Sequence, residues 1–157
     1  MLLAGAGSAA VLGGALASQF IGGLAPCPLC IWQRWPHLAA VVLAVLGVAL
    51  LARWHRPLAG LGALAMLVGA GLGLYHTGIE RGWWQGPDTC VGASDVGALS
   101  ADELMAQIMA APLVRCDEVV WEFLGLSMAS WNALASLALA GLWLMAIRRQ
   151  DSSSASQ

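Results

Sequence analysis

Four long stretches of this chain carry almost no charge, and this limits the possible folds more than any other feature. Residues 1–25 have no charged side chain, 31–52 have only Arg34 near their start, and 57–79 and 123–147 have none. Crossing a bilayer takes about 20 apolar residues in a helix that rises about 1.5 Å per residue, so each stretch is long enough. Of the 157 residues, 59% are hydrophobic and only 10% are charged. A soluble domain usually carries about a quarter charged residues. Glycine and alanine recur in all four runs, which suits close helix packing where lipid supplies no hydrophobic drive. The expected fold is all-α, an integral membrane four-helix bundle with spans at about 2–25, 31–52, 57–79 and 124–147. The first run lacks a basic n-region and outruns a typical signal h-region, so retention as a span is expected, with the chain starting close to or inside it.

The few charges are unevenly placed. Eight of the nine acids, Glu80, Asp88, Asp95, Asp102, Glu103, Asp117, Glu118 and Glu122, fall between the third and fourth spans. All seven basic residues are arginines. Arg53 and Arg56 lie in the short link "ARWHRP", and Arg148 and Arg149 follow the last span. An even number of spans puts these two basic sites on one side, which the positive-inside rule makes cytoplasmic. Both termini are then cytoplasmic, and residues 150–157 are expected to form a disordered Ser-rich tail. The opposite side receives the loop 80–122 and all four cysteines, Cys27, Cys30, Cys90 and Cys116, where thiols can be oxidised. Trp32, Trp35, Trp54, Trp83, Trp84 and Trp143 fall near predicted span ends, as in an aromatic belt.

The loop contains "LSADELMAQIMAAP", in which Ser100 and Glu103 have capping-box spacing and Pro112 marks an exit. Leu104, Ile108 and Ala111 share one face, with Met105 and Met109 beside it. A short amphipathic helix is expected, either on the membrane surface or packed on the end of the bundle.

"APCPLCIWQRW", residues 25–35, sets two cysteines three apart with an arginine one turn further on. No strand pattern supports a thioredoxin-like fold around this CxxC. A zinc site would need a better second ligand pair than the widely separated Cys90 and Cys116, so no metal is expected. Two inert structural disulfides and a redox-active dithiol both remain open. Chemistry favours the second, because backbone N–H groups at the start of a helix stabilise a thiolate, which is the reactive form. Arg34 shares a helical face with Cys30, and a guanidinium at the apolar boundary reads as functional unless it only snorkels to the interface. His76 follows Tyr75 near the end of the third span and either caps a helix-end carbonyl or serves the site. His55 reads as a solvated loop residue and His37, directly after Pro36, as an interfacial one.

Three segments in order, "CPLCIWQR", "YHTGIERGWWQGPDTC" and "RCDEVVWEFLGLSMASWN", resemble the bacterial disulfide-bond formation protein B (DsbB) family, from about residue 8 to 147. The resemblance implies a membrane thiol:quinone oxidoreductase of the bacterial inner membrane that reoxidises a periplasmic DsbA-like thiol oxidase. It implies a loop disulfide between Cys90 and Cys116, with Cys90 attacked by the partner and Cys116 exchanging with Cys27. Cys30 would then face the quinone, ubiquinone or menaquinone, as a thiolate in a charge-transfer or covalent adduct. Arg34 would stabilise negative charge beside the quinone, and His76 would stand near a quinone carbonyl. Gln33, where relatives carry Glu, is expected to be neutral, and Pro28 stiffens the turn between the cysteines.

The expected partners are thus the soluble thiol oxidase, the quinone and the lipid bilayer, with no nucleic acid. An enzyme reducing outer disulfides from a cytoplasmic donor would need a cysteine on the inner side or mid-membrane, and the sequence has none there. Vitamin K epoxide reductase-like proteins also join a CxxC to a quinone, but their motif order leaves "GWWQGPDTC" and "WEFLGLSM" unexplained. The non-catalytic alternative is a membrane scaffold stapled by two inert disulfides.

Overall fold

The computed structural model describes residues 1–49, 54–87, 90, 100–110 and 114–154, with the side chains of 104, 106–108, 110 and 149–154 outside the description. The elements in chain order are α1 (Leu2–Phe20), α2 (Pro28–Trp32), α3 (Arg34–Ala49), α4 (His55–Glu80), α5 (Ala101–Ala110), β1 (Glu122–Phe123), β2 (Leu126–Ser127) and α6 (Met128–Ser154). Among the described residues, four helical segments are long and apolar enough to cross a membrane: Leu2–Phe20, Pro28–Ala49, His55–Glu80 and Met128–Arg148. α1 packs on α3 and α6, α3 on α4, and α4 on α6, so the four close into a ring.

The bundle is inside-out in composition. Its core is lined by Ala4, Ala40, Ala44, Ala59, Ala63 and Ala140 around Met66 and Trp143. Large side chains such as Val45, Leu64, Leu67, Leu74, Leu134 and Leu137 point outward. Lipid tails are as apolar as leucine, so association depends on close backbone approach instead of on hiding leucine. Two glycines of α4 show the consequence. A Cβ on Gly62 would run into the ring of Trp143, and one on Gly73 would sit 2.9 Å from the Ala133 backbone nitrogen. Hydroxyl groups satisfy one another between α4 and α6, where Thr77 Oγ1 meets Ser130 Oγ at 3.1 Å.

The second span is not one helix. Pro36 has no N–H for the carbonyl of Trp32, four residues back, and its ring crowds that carbonyl. The CxxC turn of α2 therefore ends at Trp32 and a new helix starts at Arg34. The expected start of the fourth span at 124 moves to Met128, because Glu122–Phe123 and Leu126–Ser127 pair as an antiparallel hairpin. Its turn puts Leu124 and Gly125 at φ 54° and 74°, the left-handed conformation that a two-residue hairpin loop requires. α6 also runs on to Ser154, into the stretch expected to be a disordered tail.

Ser100 and Glu103 form the capping box reciprocally: the Ser100 N–H donates to Glu103 Oε2 (2.9 Å) and the Glu103 N–H to Ser100 Oγ (3.4 Å). α5 follows from Ala101. Pro112 and the expected apolar face at Leu104, Ile108 and Ala111 lie outside the described residues or side chains, as does Arg53. Of the six expected belt tryptophans, five are exposed, but Trp143 is fully buried over Gly62 and is a core residue.

Candidate redox site

The site is built at the end of the bundle where α1 meets α2 and α4 meets the 80–122 loop. Cys27 caps α2 from outside: its backbone is extended, Pro28 occupies the first helical position, and its sulfur accepts the Cys30 N–H at 3.2 Å. Proline suits that position because its missing N–H would be unpaired there anyway. The start of α2 thus stands at Cys27. The two thiols stand 2.8 Å apart, sulfur to sulfur. Cys90 and Cys116 form a disulfide, with Cα atoms 5.0 Å apart. The Cys116 N–H also donates to the Cys90 carbonyl at 2.8 Å. Cys27, Cys90 and Cys116 pack with Leu29 and Ile79 in one buried cluster, and Cys30 and Val114 lie against it. Two cysteine pairs far apart in the chain are therefore neighbours.

His76 joins them. Its Nε2 lies 3.6 Å from Cys27 Sγ and 3.9 Å from Glu80 Oε1, and the Cys116 backbone interacts with the same ring. Its other nitrogen, Nδ1, is 2.7 Å from Gln33 Nε2. Gln33 Nε2 also donates to the Leu29 carbonyl at 3.3 Å. A backbone carbonyl can only accept, so the Gln33 amide is oriented with its NH2 toward both groups. His76 Nδ1 is then an acceptor, and the ring proton sits on Nε2, directed at the Cys27 sulfur and Glu80.

The substitution expected to be neutral thus stands at the centre of the site. Gln33 is 6% exposed, and its carbonyl oxygen accepts from Asn132 Nδ2 at 2.7 Å. His37, read from sequence as interfacial, is buried, and its Nε2 is 2.9 Å from Asn132 Oδ1. Glu80 accepts a short hydrogen bond from Ser127 Oγ. Sequence reasoning missed Gln33, Asn132 and Glu80. The available signal was that each is a polar side chain at or inside an apolar run, where such residues face the bundle interior.

Arg34 and Cys30 line a cavity of about 340 Å³. Its walls are mostly apolar and include Val11, Leu12 and Ala135, while Gln33, His37, His76 and Asn132 supply its polar side. Arg34 Nη1 donates to Gln19 Oε1 at 2.6 Å, and its Nε is buried without a partner among the described residues. This size and composition match a small-molecule site, with apolar walls and a few convergent polar groups.

Fold and site together define a multi-pass membrane protein that packs a dithiol and a disulfide into one buried cluster. Over residues 1–146 the chain matches the family described as "Disulfide bond formation protein DsbB". It is 32% identical over 156 residues to disulfide bond formation protein B of Stutzerimonas stutzeri, covering 92% of this chain and 91% of that protein. It is 38% identical over 148 residues to the Methylococcus capsulatus protein of the same name, covering 87% and 85%. It is 31% identical over 146 residues to the Polaromonas one, covering 89% and 84%. The chain belongs to the disulfide bond formation protein B family. No solved structure matches it.

Proposed function

We propose that the protein is a thiol:quinone oxidoreductase of the bacterial inner membrane, taking electrons from a periplasmic DsbA-like thiol oxidase. The observation that carries this reading is the packing of both cysteine pairs beside one mostly apolar cavity, with Cys30 in its wall. The arginine clusters after the second and fourth spans support cytoplasmic termini and cysteines on the periplasmic face.

A partner thiolate attacks Cys90, breaking the Cys90–Cys116 bond and forming a mixed disulfide, and Cys116 leaves with the electron pair. Cys116 attacks Cys27 of an oxidised Cys27–Cys30 pair, and Cys30 leaves as a thiolate. The partner's second thiol resolves its bond to Cys90 and departs as a disulfide. Cys90 then resolves the Cys27–Cys116 bond. Two electrons now rest on Cys27 and Cys30, and Cys90–Cys116 is again a disulfide. His76, with its proton on Nε2, is placed to hydrogen-bond the Cys27 sulfur as charge develops there.

The cavity fits a quinone: apolar walls suit its ring and tail, and the Arg34 Nε–H, without a partner among the described residues, offers a donor to an oxygen. Bound there, a ubiquinone or menaquinone supplies the acceptor for two electrons and two protons. Arg34, held by Gln19, lines the same cavity as Cys30 and would set positive charge beside an oxygen of a bound quinone.

The test is anaerobic single-turnover oxidation of a small periplasmic dithiol oxidase by the purified protein, with and without added quinone. Multiple turnovers should require quinone, and Cys30→Ser should stop them. Quinone-independent turnover, or full quinone reduction by Cys30→Ser, would overturn the reading. Two disulfides that resist a mild thiol reductant would favour the inert scaffold instead.

A further inference from the structure

Among the buried polar groups that the electron relay does not use is the His37 imidazole. His37 is 2% exposed and stands one turn beyond Arg34 on α3, where side chains at i and i+3 share a face. Both residues line the cavity. Each carries one buried nitrogen without a hydrogen-bond partner among the described residues, Arg34 Nε and His37 Nδ1. Arg34 Nε bears hydrogen in any state, so it is a donor.

The character of His37 Nδ1 follows from a chain anchored at the Leu29 carbonyl. That carbonyl fixes the Gln33 amide, so Gln33 Oε1 must accept and the atom facing it, at 2.7 Å, is Asn132 Nδ2. Asn132 therefore presents Oδ1 to His37 Nε2, which must donate across 2.9 Å. A neutral imidazole with its proton on Nε2 has a lone pair on Nδ1. Reversing this would flip two amides and set the Gln33 oxygen against the Leu29 carbonyl oxygen. The cavity is thus bordered by one unpaired donor and one unpaired acceptor on the same helix face. A buried acceptor left without a hydrogen is costly, and a ligand hydroxyl relieves that cost.

We propose that His37 is a ligand-contacting residue whose Nδ1 accepts a hydrogen bond from a ring hydroxyl, so that the cavity discriminates the hydroxylated, reduced form of a quinone-type ring from its oxidised form. This rests on the quinone reading above. Arg34 Nε meets an oxygen acceptor, which both forms present, whereas only the reduced form brings a hydroxyl hydrogen to His37.

Trp121 and Trp131 line the cavity and provide a binding signal independent of turnover. Quenching of tryptophan fluorescence is titrated anaerobically in lipid nanodiscs with a decyl-tailed benzoquinol and, separately, with the matching benzoquinone. His37→Leu should raise the quinol Kd about tenfold, the loss of one buried hydrogen bond, and the quinone Kd by less than about twofold. His37→Gln, which again offers an acceptor oxygen, should recover most of the quinol affinity. Equal weakening of both forms, or no change in either, overturns the assignment. Nitrogen-15 NMR of labelled histidine reads the tautomer without any ligand. An unprotonated Nδ1 on His37 is expected, and a protonated one sinks the inference while leaving the quinone reading intact. If neither ring form quenches the wild-type protein, the quinone reading fails and this assignment fails with it.

Discussion

The two halves of the bundle are made from the same helices but are stabilised in different ways. Away from the cysteines, Trp143 is wedged over Gly62 and alanines let α1, α3, α4 and α6 approach closely. Among the described residues the buried polar groups there are a few hydroxyls and the Trp143 indole N–H, which has no partner, so shape complementarity does the stabilising. At the cysteine end, His76, Gln33, Asn132 and His37 form a continuous hydrogen-bonded chain beside a cavity, and the packing is interrupted. The difference teaches where each kind of substitution should register: damage to the first half should appear as lost stability, damage to the second as altered sulfur chemistry.

The strongest test of that division is Cys30→Ser. Removing the sulfur at the cavity wall should lower turnover at least about a thousandfold, as loss of a reacting atom does in other covalent mechanisms. Thermal unfolding in detergent should shift little, because the change is nearly isosteric. A large loss of stability would break the comparison, since it would make the dithiol a structural element.

Trp143→Ala is the converse. The side chain is fully buried, and truncating such a group costs about 3–5 kcal/mol through lost contacts and the cavity left behind. Turnover per folded molecule at low temperature should stay within about twofold of wild type. If turnover fell as steeply as stability, the halves would be mechanically coupled.

How far the sequence disclosed this arrangement also divides along the bundle. Spans were legible because charge exclusion over some 20 residues is a physical requirement of lipid, visible in "AVVLAVLGVAL" or "GALAMLVGAGLGL" without any structure. The break at Gln33 is not visible as a gap between apolar runs, because Pro36 acts on a carbonyl four residues back. The cysteine pairs and Arg34 could be singled out from short-range motifs. Their supporting chain could not, since Gln33 and Asn132 are 99 positions apart and only helix packing sets them 2.7 Å from each other. Trp143 was misjudged for a related reason: proximity to a span end does not reveal whether a side chain faces lipid or a neighbouring glycine.

Gln33 provides the sharper probe within the reactive half. Gln33→Glu, when ionised, can only accept, so it can satisfy neither the Leu29 carbonyl nor the His76 Nδ1 lone pair in the present tautomer. His76 should move its proton to Nδ1, leaving Nε2 unable to donate to Cys27. Nitrogen-15 NMR should register the tautomer change, and the rate of exchange between the cysteine pairs should fall about tenfold, with Gln33→Leu giving a similar rate loss without the swap. Unchanged His76 shifts in the Glu variant would show that the amide does not control the ring.

The smallest expected effect lies outside the bundle. Ser100 holds the Glu103 carboxyl below its ordinary range, through hydrogen bonds from its side chain and backbone. A carboxyl whose folded pKa is depressed adds stability above its unfolded value, and that contribution disappears as pH falls through the folded value. α5 should therefore fray in acid while the four spans do not. Hydrogen exchange of the amides at 101–105 should quicken, relative to intrinsic rates, as pH is lowered from 7 to below the ordinary Glu range of about 4.3. Ser100→Ala should remove most of that pH dependence by removing the hydroxyl. Both partners are exposed, so the effect on global unfolding should be too small to measure. A turnover change in Ser100→Ala larger than that of Gln33→Leu would mean that α5, and not the buried chain, governs delivery of electrons to Cys27.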